Sequence, residues 1–234
     1  MNKDKPTELE KMISGKLYNQ GDNEIILKMA KSYMLCNKLN KVSTLHQNKK
    51  YKILKKLLGS IGEAPYYIAT PITIHYGFNT YIGKRVLINY NCIIQDAGRI
   101  DIGDDVMIGP NVLITTELHP LCATQRNVHP VPKSLLSNGL GNDEYTKSVN
   151  IGSSVWLCSN VTVCPGVTIG DNSVIGAGSI VTRDIPANVF ACGVPCRVIR
   201  DITEKDRIDF KQIIFQCYFI IKHKSFIFYK YVNI

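Results

Sequence analysis

His119 lies in the stretch ITTELHPLCATQRN, residues 114–127. An imidazole titrates near neutral pH without strong tuning, so it suits the task of taking a proton from a weak nucleophile such as an alcohol. Pro120 stiffens the chain beside it. By position alone His119 reads equally well as a loop histidine satisfied by solvent. Cys122, three residues on, offers a second chemistry, a thiol that would carry an acyl group covalently. The other histidines, 46, 75, 129 and 223, lack the compact spacing of zinc ligands, so no metal is expected. Eight cysteines, at 36, 92, 122, 158, 164, 192, 196 and 217, form no CxxC pair. They are expected to be reduced and mostly buried.

The chain around this stretch is periodic. Ile151, Leu157, Val163, Ile169, Ile175 and Val181 are spaced by six, and the same spacing runs through Ile82, Ile88 and Ile94, then Ile102, Ile108 and Ile114. The step from Ile94 to Ile102 is eight, so two residues are inserted there. Glycine often follows the aliphatic residue, as at Gly152, Gly170 and Gly176, and small or branched residues stand four places on. A helix does not keep every sixth residue on one face, and a simple alternating strand does not explain the glycines. A coil with flat sides and tight corners explains both, each turn stacking on the next. Residues 115–150 interrupt the ladder with three prolines, two histidines and SNGLGNDE, long enough for a functional loop.

Residues 1–62 read as a helical cap. Thr7 and Glu10 have capping-box spacing. Asp22 is placed to cap a helix over 23–39 with Ile26, Met29, Ala30, Tyr33 and Met34 on its apolar side. Ser43 or Thr44 is placed to cap a third over 45–58, with Tyr51, Leu54, Leu57 and Leu58 opposite lysines. Residues 1–60 hold thirteen lysines against five acidic residues, nearly all of the net +9. No stacking aromatics or reader motif accompany them, so a solvated face is expected rather than nucleic-acid binding. The charged N-terminus has no apolar signal core, which points to the cytoplasm. Residues 208–234 carry five Phe and three Tyr, yet their apolar run is too short to span a bilayer. Packing on the outside of an assembly, or unselected sequence, is expected there ahead of a membrane anchor.

The closing stretch IGDNSVIGAGSIVTRDIPANV followed by GVPCRVIRDI resembles the last coils of the hexapeptide-repeat sugar O-acetyltransferases. GKLYNQGD, YGFNTYIG, NYN and LHP match the same family in order, over about residues 7–207, with the maltose and galactoside enzymes most alike. The resemblance implies a mainly β fold: a left-handed parallel β-helix over 63–207 with an N-terminal α-helical cap and a long catalytic loop. It implies a homotrimer with active sites between subunits, and acetyl transfer from acetyl-CoA to a sugar hydroxyl. The alternatives are another hydroxyl acceptor (an antibiotic or lipo-oligosaccharide), a metal-dependent relative such as a γ-type carbonic anhydrase, and a silent binding solenoid.

The resemblance also assigns roles. His119 matches the catalytic His-Pro, and Asn89 the facing asparagine, whose simpler reading is a corner residue tolerating an unusual backbone. His75, Tyr76, Asp96, Gln20 and Glu144 match acceptor-contacting positions, although His75 and Gln20 differ from the usual residue types. Trp156, Ser159, Ala177, Thr182, Arg183, Arg197 and Arg200 match the CoA groove, although a solvated C-terminal face would by itself explain the last two arginines. The loop exceeds the family's by about a dozen residues.

Overall fold

The computed structural model describes residues 5–43, 45–63, 67–133 and 136–208. Thr44 and nearly all of the aromatic tail, with Cys217 and His223, lie outside the described residues. The chain divides into two units, Met1–Asp201 and Ile202–Ile234. The described part of the second holds one 3-10 turn, Glu204–Asp206, where Thr203 and Asp206 exchange side-chain and backbone hydrogen bonds.

Three parallel ladders build the β-helix in the first unit. One stacks Ser60–Ile61, Thr80–Ile82, Ile100–Ile102, Val149–Ile151 and Thr168–Ile169. A second stacks Tyr67–Ile68, Leu87–Ile88, Met107–Ile108, Trp156–Leu157, Val174–Ile175 and Val189–Cys192, and Arg197–Asp201 closes it antiparallel. The third stacks Ile72–Ile74, Cys92–Gln95, Leu113–Thr115, Thr162–Val163 and Ile180–Val181. Every hexad aliphatic noted above is buried. So are the residues four places on, Val155, Val161, Val167, Ser173, Ser179 and Ile185, which fill the same core from the neighbouring corner. The recurrent glycine has a steric cause. A Cβ at Gly103 would fall 2.7 Å from the Ser153 backbone nitrogen of the next coil, and one at Gly152 2.8 Å from that of Asp171.

Lower coils are longer than upper ones. Ile82 pairs with Ile102 and Ile94 with Ile114, whereas Ile151 pairs with Ile169 and Val163 with Val181. The extra residues sit on one edge, between the third and first ladders: Ile74 to Ile82, Ile94 to Ile102, and then the whole excursion from Ile114 to Ile151.

The cap contains α1 (Glu8–Ile13), α2 (Asn23–Asn40) and α3 (Gln47–Leu57). Thr7 and Glu10 form the capping box, and Asp22 caps α2 through the Glu24 amide. α3 differs from expectation: His46 is its N-cap and no side chain caps it. α2 also buries a different face. Ile25, Ser32, Cys36 and Leu39 turn inward, while Tyr33 and Met34 are exposed. Ser32 Oγ and Cys36 Sγ donate to the Ile74 carbonyl, and Asn40 bonds both polar groups of the Ile72 backbone. Small and polar residues thus satisfy the first rung, which an apolar stripe would leave unpaired. In α3, Leu54, Leu57 and the following Leu58 are buried, and Lys50 joins them, donating to the Ile68 carbonyl and Thr70 hydroxyl. Among the described residues no helix is long and apolar enough to cross a membrane.

Candidate active site

The excursion leaves the coil at Thr115 and folds as β2 (Glu117–Leu118), a short turn of helix at Ala123–Arg126, a hairpin pairing His129–Pro130 with Leu140–Gly141, and β3 (Asp143–Thr146). β3 lies between β2 and β1 (Tyr18–Asn19), the strand that follows α1, both antiparallel to it. Cap and excursion therefore share a three-stranded sheet over the widened edge. Beneath it is a second small core of Leu9, Met12, Tyr18, Ile25, Tyr76 and Ala97.

Inserted corner residues form the floor. Asp96 is fully buried, and its carboxylate accepts from the Tyr76 amide at 2.8 Å and the Thr80 hydroxyl at 2.8 Å. Burial raises its pKa, and these donors with the Gly77 amide oppose the rise. Expected as an acceptor contact, Asp96 instead has no exposed surface and holds the His75–Tyr76 corner in place. Thr116 Oγ1 ties the corners together, donating to the Gln95 carbonyl and accepting from the Gly98 amide. Tyr76 is buried as well, and burial pushes its hydroxyl pKa up.

His119 follows β2, partly open to solvent. Its Nδ1 is 3.1 Å from the Asp143 carbonyl and its Nε2 3.5 Å from Glu144 Oε1. A carbonyl only accepts, so Nδ1 carries a hydrogen, and in the neutral ring the lone pair then falls to Nε2. Glu144 was expected to touch the acceptor; it is buried behind His119, and the Tyr18 hydroxyl donates to its other oxygen at 2.6 Å. Burial raises the Glu144 pKa, and Tyr18, His119 and His75 work against that. Glu117 and His75 pair at 2.6 Å, and this hydrogen bond is the largest cause raising the His75 pKa. His75 stacks against Tyr76 with centroids 4.6 Å apart.

Glu117 and Tyr18 were missed from sequence although both signals were present. Glu117 stands two places before His119 on an extended segment, where alternate residues share a side. Tyr18 stands inside GKLYNQGD. Gln20 is bound to the Asn142 side chain and lines a depression with Leu140 and Gly141.

The other expected residues occupy different edges. Asn89, Ser159 and Ala177 stack at the corner between the second and third ladders, where the Gly178 amide donates to the Ser159 carbonyl. Asn89 is not in the left-handed conformation, which falls to Asn91 at φ 61°. Its side-chain oxygen accepts from the Tyr90 amide. Thr182 and Arg183 are exposed after the last rung of the third ladder, on the same edge as the excursion. Trp156 is exposed on the second ladder between Met107 and Val174. Arg197 and Arg200 are exposed on that ladder's closing strand, where Arg200 sits 5.9 Å from the Phe190 ring centroid.

The seven described cysteines are free thiols. Only Cys36, Cys92 and Cys196 are buried, while Cys122 is exposed, so the burial expected of most holds for the minority. Hydrogen bonding to Thr124 lowers the Cys122 pKa. Among the described residues no group of three His, Cys, Asp or Glu side chains is arranged to hold a metal ion.

Residues 11–62 match the maltose acetyltransferase hexapeptide capping motif, 79–116 the hexapeptide repeat of succinyl-transferase, and 148–183 the bacterial transferase hexapeptide of six repeats. The galactoside O-acetyltransferase of Escherichia coli K12 is 38% identical over 198 residues, 85% of this chain and 91% of its own length. A maltose O-acetyltransferase from Clostridium difficile 630 superposes with a TM-score of 0.74 at 40% identity, covering 85% of this chain and 99% of that one. A galactoside acetyltransferase solved in complex with coenzyme A gives 0.75 at 35% identity, covering 88% and 96%.

Proposed function

The chain belongs to the hexapeptide-repeat sugar O-acetyltransferase family, and on that footing we propose that it transfers acetyl from acetyl-CoA to a sugar hydroxyl, with His119 as general base. The observation that carries the assignment is the Nδ1 bond of His119 to the Asp143 carbonyl, which leaves Nε2 basic. As the acceptor oxygen attacks the thioester carbon, its proton passes to Nε2. The C–O bond forms, the tetrahedral centre collapses and the C–S bond breaks. The imidazolium then returns the proton to the departing CoA sulfur. Glu144, 3.5 Å from Nε2, stabilises the transient imidazolium, and Tyr18 fixes that carboxylate. Asn89 supplies a donor to the developing oxyanion.

Asn89, Ser159 and Ala177 lie on one edge of the coil, and His119 and Arg183 on the next. A site that uses both sets needs a second copy, which supports a homotrimer with acetyl-CoA between neighbours. Thr182, Arg183, Arg197 and Arg200 would meet its phosphates, and Trp156, Ser159 and Ala177 its pantetheine arm. His75, partly exposed and paired with Glu117, would meet the acceptor, with the buried Tyr76 packed beneath it. His119→Ala is expected to lose about 10²–10⁴-fold in kcat while CoA affinity is kept. Mixing His119→Ala with Asn89→Ala subunits should restore turnover, because some interfaces regain both groups. Unchanged turnover in His119→Ala would sink the base, and failed restoration the shared site.

A further inference from the structure

The long excursion folds its middle back onto the catalytic segment. In the hairpin, His129 pairs with Gly141 and Pro130 with Leu140. Gly141 approaches Asn19 of β1 so closely that a Cβ there would overlap the Asn19 side-chain oxygen. The hairpin is thereby set against the sheet that carries β3. Its His129 places Nε2 3.2 Å from Asp143 Oδ1. Asp143 is also the residue whose carbonyl takes the Nδ1 hydrogen of His119. It opens β3, and the terminal residue of a short strand is prone to fray. Asn19 pairs with it from one side, and the preceding Asn142 is bound to Gln20. His129 is the side chain that grips its carboxylate.

We propose that His129 is a positioning residue for His119, acting through Asp143: the hairpin imidazole holds the Asp143 side chain, and the held residue presents the carbonyl that fixes the His119 tautomer and ring orientation. The inference rests on His119 being the base. Its physical content is rotational. A released Asp143 lets its carbonyl tilt, and Nδ1 then shares its hydrogen between this and other acceptors. A fraction of His119 would carry the hydrogen on Nε2 and be useless as a base. A second-sphere contact of this kind acts on orientation, so it changes turnover more than binding.

The test uses the full chain with His129→Ala and His129→Gln, each beside His119→Ala. The readouts are kcat, KM for acetyl-CoA, and the ¹⁵N imidazole spectrum of His119. His129→Ala is expected to lower kcat about tenfold with KM unchanged, and to replace one His119 tautomer signature by a mixture. His129→Gln, whose amide hydrogen reaches Asp143 Oδ1, should recover most of the loss. The double variant His119→Ala/His129→Ala should be no slower than His119→Ala alone. Wild-type kcat and an unchanged His119 spectrum in His129→Ala would overturn the proposal while a dead His119→Ala kept the base intact. A melting midpoint falling in step with kcat, with no recovery by Gln, would overturn it in favour of a purely structural hairpin. Should His119→Ala itself turn over normally, the reading of the base fails, and the proposal falls with it.

Discussion

Coils below the excursion pair residues twenty apart and coils above it residues eighteen apart, on one continuous core. The difference is confined to a single edge. Above, Val163 and Ile169 bracket a tight corner. Below, the corners 74–82 and 94–102 each hold two more residues and carry polar groups inward: Asp96, Thr80 and Asn79. A tight corner is satisfied by its own glycines and the backbone of the next coil. A widened corner has surplus donors and acceptors, and its groups bind one another across coils. It forms a stiff platform on which a loop can be built without sacrificing the aliphatic core. The site thus depends on the coil for rigidity and on the excursion for its reactive groups.

Separate damage to the two parts tests that division. The largest effect belongs to the excursion: His119→Ala, with its loss of about 10²–10⁴ in kcat, should melt with the wild type because its side chain is partly exposed and buries little. Acetyl-CoA-dependent thiol release with sugar acceptors, beside a thermal scan, reads both. Next comes the platform. Asp96→Ala strips the acceptor from the buried amide of Tyr76 and the hydroxyl of Thr80, at a cost of about 3 kcal/mol. Leu157→Ala, on a rung of the second ladder, should cost a similar amount, about 2–5 kcal/mol, by leaving a cavity. The two should part in activity. The folded fraction of Leu157→Ala keeps its kcat, while Asp96→Ala loses it because the His75–Tyr76 corner relaxes. Equal kcat in both would break the distinction between platform and rung.

What could be read from the sequence follows the same division. The rungs were legible because each buried aliphatic recurs at a fixed step, and the step of eight at Ile94 marked the widened edge in advance. The capping box and the Asp22 cap were legible because they are local. α2 was read on the wrong face because its docking side is Ser32, Cys36 and Asn40, chosen by the carbonyls of Ile72 and Ile74, which periodicity does not see. Tyr18 and Glu144 are 126 residues apart, and nothing local says that they meet. Asp96 was singled out by the resemblance as an acceptor-contacting position, but only burial reveals that its carboxylate is turned to the corner. His119 stood out because it breaks a pattern; Glu117, two places before it, carried only a local signal of shared side, and the pairing of Tyr18 with Glu144 exists only after folding.

A smaller effect separates two carboxylates of the site. Glu144→Gln keeps the shape and a hydrogen-bond acceptor for Tyr18 but removes the negative charge 3.5 Å from Nε2. A transient imidazolium loses part of its stabilisation, so kcat should fall about tenfold with KM for acetyl-CoA unchanged. The raised pKa of Glu144 gives this a pH signature: burial delays its ionisation, so the wild-type advantage over Glu144→Gln grows as pH rises and the carboxylate charges. A ratio of the two kcat values independent of pH would mean that the carboxylate acts through shape alone.

The weakest effect is the one between His75 and Glu117, and it is one of stability. Their 2.6 Å bond raises the His75 pKa, so the folded state binds this proton more tightly than the unfolded chain. The stabilisation is fully present below the unfolded value, about 6.5, and is lost as pH rises through the raised folded value. Glu117→Gln should therefore lower stability by about 1 kcal/mol near pH 6, a surface-like magnitude because both groups keep some exposure. The deficit should shrink toward zero at a pH above the raised folded value, where His75 is neutral in both proteins. Denaturant midpoints at the two pH values measure it. A deficit that stays constant would assign Glu117 to packing at the mouth of the site, and one that widens with pH would reverse the sign of the pairing. Because the bond bridges the platform corner and the excursion, its pH dependence also reports how firmly the two are joined.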